Sequence, residues 1–450
     1  MTPSVTEQLA QAVAGADAAP MRDTAERLLL DVAGLCVAAR GTDYVRAALA
    51  AWRATGPCSA LGHAQALEAA GAAFVNGTAA HGEDFDDTFE GGPVHAGAVV
   101  VPAVLAVAER DSLSGEQLLR GIAVGAELMC RLSLVAPKLI HKAGFHPTAV
   151  LGAIGAAAGV AVCLNLSKNH FVNALGIAGS MASGIIEYLA EGAWTKRMHA
   201  GWAAQSGIRA ADLARAGFIG PRTVLEGTHG LYQAFARTDR FESKILLKDF
   251  GERWLAASIA FKPYACGTMT QPYVDCAQRL ARKVEIEDIE EIVCEAAEGT
   301  VHRLWEPLAA KQRPPNGYAA KFSQPYCIAA GLVLGHAGLD AFTDERVRDA
   351  RLLALAAKVR YEIDADNPYP REFTGHVRVR VRDGRIFEER QGHLRGGAKE
   401  PLARAELEEK FRLNCEHGGW PVQRAEEFLA LTKSIFQSSS VSLRSRASAA

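Results

Sequence analysis

The chain has 450 residues, about half of them hydrophobic, which is enough for two domains with a large core. A net charge of −2 with both signs mixed and few aromatic residues argue against nucleic-acid binding, and the apolar runs are too short to span a membrane. We see no signal peptide, and nine scattered cysteines without paired spacing favour a reducing compartment, so we expect a cytoplasmic protein.

Helical patterns rich in alanine and leucine fill the first part of the chain, 1–263. Several of these segments are apolar nearly all round, which predicts helices buried inside a bundle rather than laid on its surface. Short stretches of glycine, proline and asparagine separate them. The predicted helices are 25–40, 64–81, 96–110, 114–134, 148–164, 167–182 and 199–216.

The pattern changes after Lys262, and we expect a smaller α+β lid domain over 264–398. Three valines in 377–381 alternate with arginines, and the Asp-Gly pair at 383–384 predicts the turn of a β-hairpin. The arginine stripe could be a nucleic-acid patch, but we interpret it as a solvated sheet face with cross-strand Arg–Glu pairs. The other predicted elements are helices 271–282 and 325–334 and strands 292–296 and 358–363.

Helical sequence resumes in 399–437, which predicts that the chain returns to the first domain. The serine-rich tail, 438–450, is predicted to be disordered. The expected fold is therefore mainly α, with a large, discontinuous all-helical domain and a smaller α+β lid domain.

The polar segment 76–95 lies between two long apolar stretches and is the first candidate site. On a helix, His81, Asp84 and Thr88 fall at i, i+3 and i+7 and so share one face. The Gly-Gly-Pro turn then returns His95 to the start of the next helix. Burying this much polar chemistry is costly unless it has a function.

Two other interpretations of this segment remain open. A capped helix end would explain Asp86 and Asp87 as partners of loop hydrogen bonds. A metal site is conceivable, because His and Asp at i, i+3 can share an ion, although no partner cluster follows at ligand spacing.

Four further motifs carry ionisable residues. His146 precedes Pro147 at a helix start, where free N–H groups favour anions. Lys196 lies in a basic stretch before a helix of small residues, Lys262 stands among apolar residues, and Tyr326 follows a proline that opens a helix. Such residues suit a small, multiply anionic substrate and acid–base chemistry. No Rossmann fingerprint, Walker loop or nucleophile elbow is present in context.

Together these motifs resemble the MmgE/PrpD family, which includes 2-methylcitrate dehydratases, cis-aconitate decarboxylases and iminodisuccinate epimerases. The resemblance extends from about residue 5 to 436 and rests on the order and spacing of five motifs. It implies a homodimer that uses no metal or organic cofactor. The motifs are His81-Gly82-Glu83-Asp84-Phe85-Asp86-Asp87-Thr88 with His95, Gly144-Phe145-His146-Pro147-Thr148, Thr195-Lys196-Arg197-Met198-His199-Ala200-Gly201, Phe261-Lys262-Pro263-Tyr264 and Lys321-Phe322-Ser323-Gln324-Pro325-Tyr326.

The resemblance also implies roles for individual residues. The implied catalytic residues are His95, Asp84, Lys262 and Tyr326, and the implied substrate-binding residues are Thr88, His146 and Lys196. The sequence departs from the family in three places. The turn before His95 is one residue longer than in some members, and Ala96 replaces the proline that often follows this histidine. The stretch Cys266-Gly267-Thr268-Met269 lacks the histidine that decarboxylase-like members carry shortly after the lysine matched by Lys262.

The leading hypothesis is a cofactor-independent lyase for a small di- or tricarboxylate, most simply a hydro-lyase of the 2-methylcitrate dehydratase type. An epimerase or racemase of an aminodicarboxylate and a cis-aconitate-type decarboxylase are alternatives on the same scaffold. A catalytically inactive dimeric scaffold is the alternative that involves no enzyme.

Overall fold

In the computed structural model, residues 2–191, 193–240 and 242–443 are described, and they are mainly helical with a small mixed sheet. The chain divides into two compact units. Unit 1 is formed by Met1–Gly82, Asp86–Ile259 and Arg404–Ala450, and unit 2 by Glu83–Phe85 and Ala260–Ala403. Three residues of the polar segment around Asp84 therefore belong to unit 2, although both of their flanks belong to unit 1.

Buried helices dominate unit 1, and the seven helices predicted there are confirmed with ends displaced by a few residues. Small residues allow these helices to approach closely. A Cβ atom at Gly77 would lie 2.7 Å from the Cα of Gly201, so the helices that carry these glycines touch backbone to backbone. The helices are α1 Val5–Gly15, α2 Arg22–Ala39, α3 Asp43–Ala51, α4 Ala69–Gly82, α5 Ala96–Arg110, α6 Gly115–Val135, α7 Leu139–Lys142, α8 Pro147–Cys163, α9 Lys168–Met181, α10 Tyr188–Glu191, α11 Thr195–Arg215, α12 Leu231–Ala236 and α13 Lys244–Leu247.

A short hairpin interrupts the helices of unit 1, so the prediction that this domain is all-helical is wrong there. Strand β1 (Thr55–Ser59) pairs antiparallel with β2 (Ala66–Leu67). The buried Glu109 carboxylate accepts hydrogen bonds from the Ser59 N–H and hydroxyl groups, both at 2.8 Å. Strands this short carry too little alternation to be recognised in a sequence.

Unit 2 contains a four-stranded mixed sheet of order β4-β3-β5-β6. The predicted hairpin is confirmed: β5 pairs antiparallel with β6, and the three alternating valines are buried. On the other face Arg380 pairs with Glu290 and Glu291, as expected for a solvated face. The elements are α14 Gln271–Leu280, β3 Ile289–Ala296, α15 Glu298–Leu304, α16 Leu308–Gln312, α17 Gly317–Ala320, α18 Gln324–Leu334, α19 Ala350–Ala356, β4 Val359–Ile363, β5 Gly375–Val381 and β6 Ile386–Gln391.

The chain then returns to unit 1 through α20 (Arg404–His417) and α21 (Val422–Thr432). Helix α20 packs on α2, and the buried Lys410 ammonium lies 2.7 Å from an Asp31 carboxylate oxygen. Buried ion pairs of this kind are costly to break, because one charge is then left without its partner.

Residues 444–450 of the predicted disordered tail lie outside the described residues. In 438–443, Val441 and Leu443 are buried, and the Leu443 N–H group donates to the Glu109 carboxylate at 2.8 Å. All nine cysteines lie in the described part, where they are buried and form no disulfide bond. Among the described helices, none has the length and apolar character needed to cross a membrane.

Candidate active site

The polar segment leaves its helix earlier than the sequence suggests. Helix α4 ends at Gly82, where a Cβ atom would lie 2.3 Å from the Tyr44 hydroxyl oxygen. Asp84 follows with a φ of 54°, a left-handed conformation that cannot continue a helix. The prediction that His81, Asp84 and Thr88 share a helix face is therefore wrong, because only His81 is helical.

Unit 2 holds Asp84 through three side chains. The Lys262 ammonium donates to the Asp84 carbonyl oxygen at 2.8 Å, and the Tyr318 hydroxyl donates to the Asp84 carboxylate at 2.8 Å. The Lys321 ammonium binds the carbonyl oxygen of Glu83 at 2.6 Å and its carboxylate at 2.5 Å. Both lysines are buried, so these contacts compensate for the loss of their hydration. The left-handed residue is thus fixed in place from both its backbone and its side chain.

In unit 1 a buried carboxylate lies between two histidines. Asp86 Oδ2 is 2.6 Å from His81 Nδ1 and 3.4 Å from His95 Nδ1, and the Asp86 side chain has no exposed surface. His95 Nδ1 also lies 2.6 Å from the Asp87 carbonyl oxygen and 3.3 Å from Thr88 Oγ1. A single cluster therefore contains two predicted residues, His95 and Thr88, together with a negative charge.

These contacts determine which ring nitrogen of each histidine carries a proton. The Asp87 carbonyl can only accept, so His95 Nδ1 donates to it, and Nε2 is the nitrogen of His95 that gains or loses a proton. His81 Nδ1 likewise donates to Asp86, and the buried His81 Nε2 has no hydrogen-bond partner within the described ranges. His95 is at the same time the residue before α5, as the sequence predicts.

A second pair of histidines lies beside this cluster. His146 is the residue before α8, with Pro147 in the first turn, which confirms the predicted helix start. His146 Nδ1 is 3.2 Å from His199 Nδ1, and its ring stacks on that of His81 with 5.6 Å between centroids. Burial and the positive charges of His81 and Lys196 hold the pKa of His146 well below its usual value. The same three causes lower the pKa of His199 to about 4.

His199 also lines a cleft on unit 1 with a volume of about 930 Å³. Tyr188 contacts both histidine rings, with centroid distances of 6.3 Å to His146 and 5.7 Å to His199. Trp202 and Arg209 lie further along α11 and line the same cleft. A small polar molecule could therefore approach the histidines from this side of unit 1.

The cluster of His81, Asp86 and His95 also has the composition of a metal site, with one ligand atom from each residue within 4.8 Å of the others. Two ligands on one tetrahedral zinc ion lie about 3.4 Å apart, given bond lengths near 2.1 Å. The 2.6 Å between His81 Nδ1 and Asp86 Oδ2 is a hydrogen-bond distance instead. In the structure these two atoms therefore form a hydrogen bond.

The structure brings together some of the predicted residues and separates others. Thr88, His95 and His146 form one group in unit 1, and Asp84 with Lys262 forms another group in unit 2. Lys196 contributes positive charge to the first group.

Tyr326 has a different environment. Its side chain is fully buried, its hydroxyl donates to the Ala341 carbonyl at 2.8 Å, and its ring packs near Phe342. These contacts suffice for a structural role, and the tyrosine that binds Asp84 is Tyr318. A catalytic role for Tyr326 remains a prediction.

Sequence reasoning missed five residues that take part in these groups. Asp86 was interpreted as a capping residue and His81 only as a member of a helix face, whereas the two form the closest pair in the cluster. Their shared signal is that they are ionisable residues within or next to the motifs named above, and an ionisable residue that becomes buried needs a partner. The missed residues are His81, Asp86, His199, Tyr318 and Lys321.

Cys266, one of the departures from the family pattern, is buried in unit 2 and accepts a hydrogen bond from Thr270 Oγ1 at 2.9 Å. Burial raises the pKa of its thiol. Hydrogen bonds from Cys327 and Thr270 and the charges of Lys262 and Lys321 oppose this, and they bring the pKa below its usual value. The position thus keeps a polarised sulfur close to both lysines.

Comparisons with known proteins identify the family. The family model of the MmgE/PrpD N-terminal domain matches residues 7–244, and that of the MmgE/PrpD C-terminal domain matches residues 264–433. Human cis-aconitate decarboxylase is 31% identical over 359 residues, covering 76% of this chain and 72% of the human protein. Cis-aconitate decarboxylase of Aspergillus terreus strain NIH 2624 is 27% identical over 421 residues, covering 87% and 84% of the two chains.

Proposed function

The chain belongs to the MmgE/PrpD family, and on this premise we propose that it is a lyase that acts on a small di- or tricarboxylate by acid–base chemistry. Decarboxylation of a cis-aconitate-like acid is the first reaction to test, because that activity is the one named for its relatives. Dehydration of a 2-methylcitrate-like acid is the second candidate.

The observation that carries the proposal is the way His95 is held. Its Nδ1 proton is directed to the Asp87 carbonyl, and the Asp86 carboxylate lies 3.4 Å away. This arrangement orients the ring and stabilises the protonated form, so Nε2 can give up or accept a proton at a carbon atom of the substrate.

Both candidate reactions need a proton transfer of this kind. Loss of CO₂ leaves electron density on carbon that must be protonated, whereas dehydration begins with removal of a proton next to a carboxylate. Dehydration also needs an acid for the leaving hydroxyl group, and Asp84, to which Tyr318 donates a hydrogen bond, remains a predicted catalytic residue. The stretch 266–269 lacks the histidine that decarboxylase-like members carry shortly after the lysine matched by Lys262, and this is the feature that favours the second candidate.

Substrate carboxylates require cationic or N–H partners once water is excluded. In unit 1 Lys196 supplies positive charge beside His146. In unit 2 Lys262 remains a predicted participant, and its present bond to the Asp84 carbonyl would have to be exchanged for one to a substrate.

The test is incubation of the purified protein with cis-aconitate, 2-methylcitrate, citrate and an aminodicarboxylate in D₂O, followed by mass spectrometry and NMR. Loss of CO₂ identifies a decarboxylase and loss of water a hydro-lyase. Deuterium uptake without either change identifies an epimerase or racemase.

The matched variants are His95→Gln and the exposed-histidine control His229→Gln. We expect His95→Gln to lose turnover by about 10²- to 10⁴-fold, the usual contribution of a general acid–base group. Equal turnover by both variants would refute the role of His95. If the wild-type protein changes none of the acids and none raises its melting temperature, the inactive scaffold is the better description.

A further inference from the structure

The His146–His199 contact joins two ring nitrogens of the same kind. Nδ1 of each residue lies 3.2 Å from Nδ1 of the other, and both side chains are buried. A hydrogen bond needs one donor and one acceptor, so a single proton occupies the space between these nitrogens. The pair therefore has two arrangements, with this proton on His146 or on His199.

The two rings connect different surroundings. His146 lies against the cluster in unit 1, with centroid distances of 5.6 Å to His81 and 6.5 Å to His95. His199 lines the cleft of about 930 Å³. The pair thus extends from the buried cluster to a space that water can fill.

The positive charges around the pair lower the pKa of both rings. Lys196 and His81 lower the pKa of each ring, as does burial, so neither ring holds an extra proton at neutral pH. The cluster's carboxylate, Asp86, is hydrogen-bonded to His81. The Tyr188 ring also contacts both histidine rings.

We propose that His146 and His199 form a two-ring relay that carries the reaction's proton between the buried cluster and the cleft. When His146 Nε2 takes up the proton that His95 Nε2 has removed from the substrate, the proton on His146 Nδ1 passes to His199 Nδ1. The proton on His199 Nε2 then leaves to water in the cleft. One proton enters and one leaves, both rings end neutral in the other tautomer, and reversal of the steps delivers a proton to the substrate.

This inference rests on the proposed function, and His199 is its test residue because it acts only through His146. The variants are His199→Gln, which can keep a hydrogen bond to His146 but cannot pass on a proton, and His199→Ala, which opens the position to the cleft. Met198→Ala, which changes the residue next to His199 and the same cleft, is the matched control.

We expect both His199 variants to lose turnover by about 100-fold, within the range of acid–base groups, while Met198→Ala keeps most of it. Added imidazole should restore turnover to His199→Ala, and substituted imidazoles should do so in the order of their basicity. A purely structural role predicts that Gln restores turnover and that imidazole basicity has no influence. Either of these results would overturn the relay.

The relay and the proposed function can fail separately. If the wild-type protein is active and His199→Gln equals it, only the relay is wrong. If no acid is turned over, the proposed function fails, and ¹⁵N NMR of the histidine rings decides on the relay alone. A relay requires His146 and His199 to take up protons in one coupled process that His199→Gln abolishes, and independent titration would overturn it.

Discussion

Replacing Asp86 with asparagine tests whether its carboxylate supports the proton on His95. The two groups are 3.4 Å apart and the carboxylate is fully buried. At an effective dielectric constant of about 20, opposite unit charges at this distance attract by about 5 kcal/mol. Half of this energy, lost from a transition state with a protonated His95, would slow the reaction by about 70-fold. We therefore expect kcat to fall by about two orders of magnitude.

The assay is steady-state turnover of the acid that the wild-type protein converts, with circular dichroism to check the fold. Asp87→Asn is the matched control, because Asp87 contacts His95 through a backbone carbonyl that asparagine retains. Its loss should be clearly smaller. The reasoning is refuted if folded Asp86→Asn stays within about threefold of wild type, or if Asp87→Asn is the slower variant.

Three further predictions concern pH, stability and the two tyrosines. The pKa of folded His199 lies below the unfolded value of 6.5, so its neutral form stabilises the protein fully above pH 6.5, and about 3 kcal/mol of the free energy of unfolding is lost as pH falls to about 4. In urea unfolding, His199→Gln should lose less stability between these two pH values than the wild-type protein does. An equal loss in both proteins would contradict this. Arg131 pairs with buried Glu127 and donates to three backbone carbonyls, so Arg131→Met should cost about 3–5 kcal/mol in the same assay, and a cost near zero would mean that the pair contributes nothing. Tyr318→Phe should reduce turnover more than stability, because the Tyr318 hydroxyl binds the Asp84 carboxylate. Tyr326→Phe should reduce stability more than turnover, because the Tyr326 hydroxyl binds the Ala341 carbonyl. Equal losses of turnover in the two variants would support a catalytic role for Tyr326.

Long, regular patterns made much of the fold predictable. The buried helices of unit 1 and the hairpin after residue 375 follow from apolar periodicity and one Asp-Gly turn. The β1–β2 hairpin was missed because a two-residue strand has no period. The true end of α4 was missed because it depends on the Tyr44 ring beside Gly82, which is a tertiary contact that no local pattern contains.

The candidate site was predictable in composition but not in pairing. Motif spacing identified His95, Thr88 and His146, which do lie in one group. It could not reveal that Asp86 lies between two histidines, because that depends on how the chain turns after residue 82. The expected homodimer, the cytoplasmic location and the order of acid and base remain predictions.

The return of the chain through α20 has a consequence for biosynthesis. Asp31, near the start of the chain, forms its ion pair with Lys410, which is synthesised only after all of unit 2. Until then the face of α2 that α20 covers must remain exposed or shielded by a chaperone. We therefore expect the insert, Ala260–Ala403, to be able to mature before the scaffold that surrounds it in sequence, and nascent chains that stop before residue 404 to be prone to aggregation.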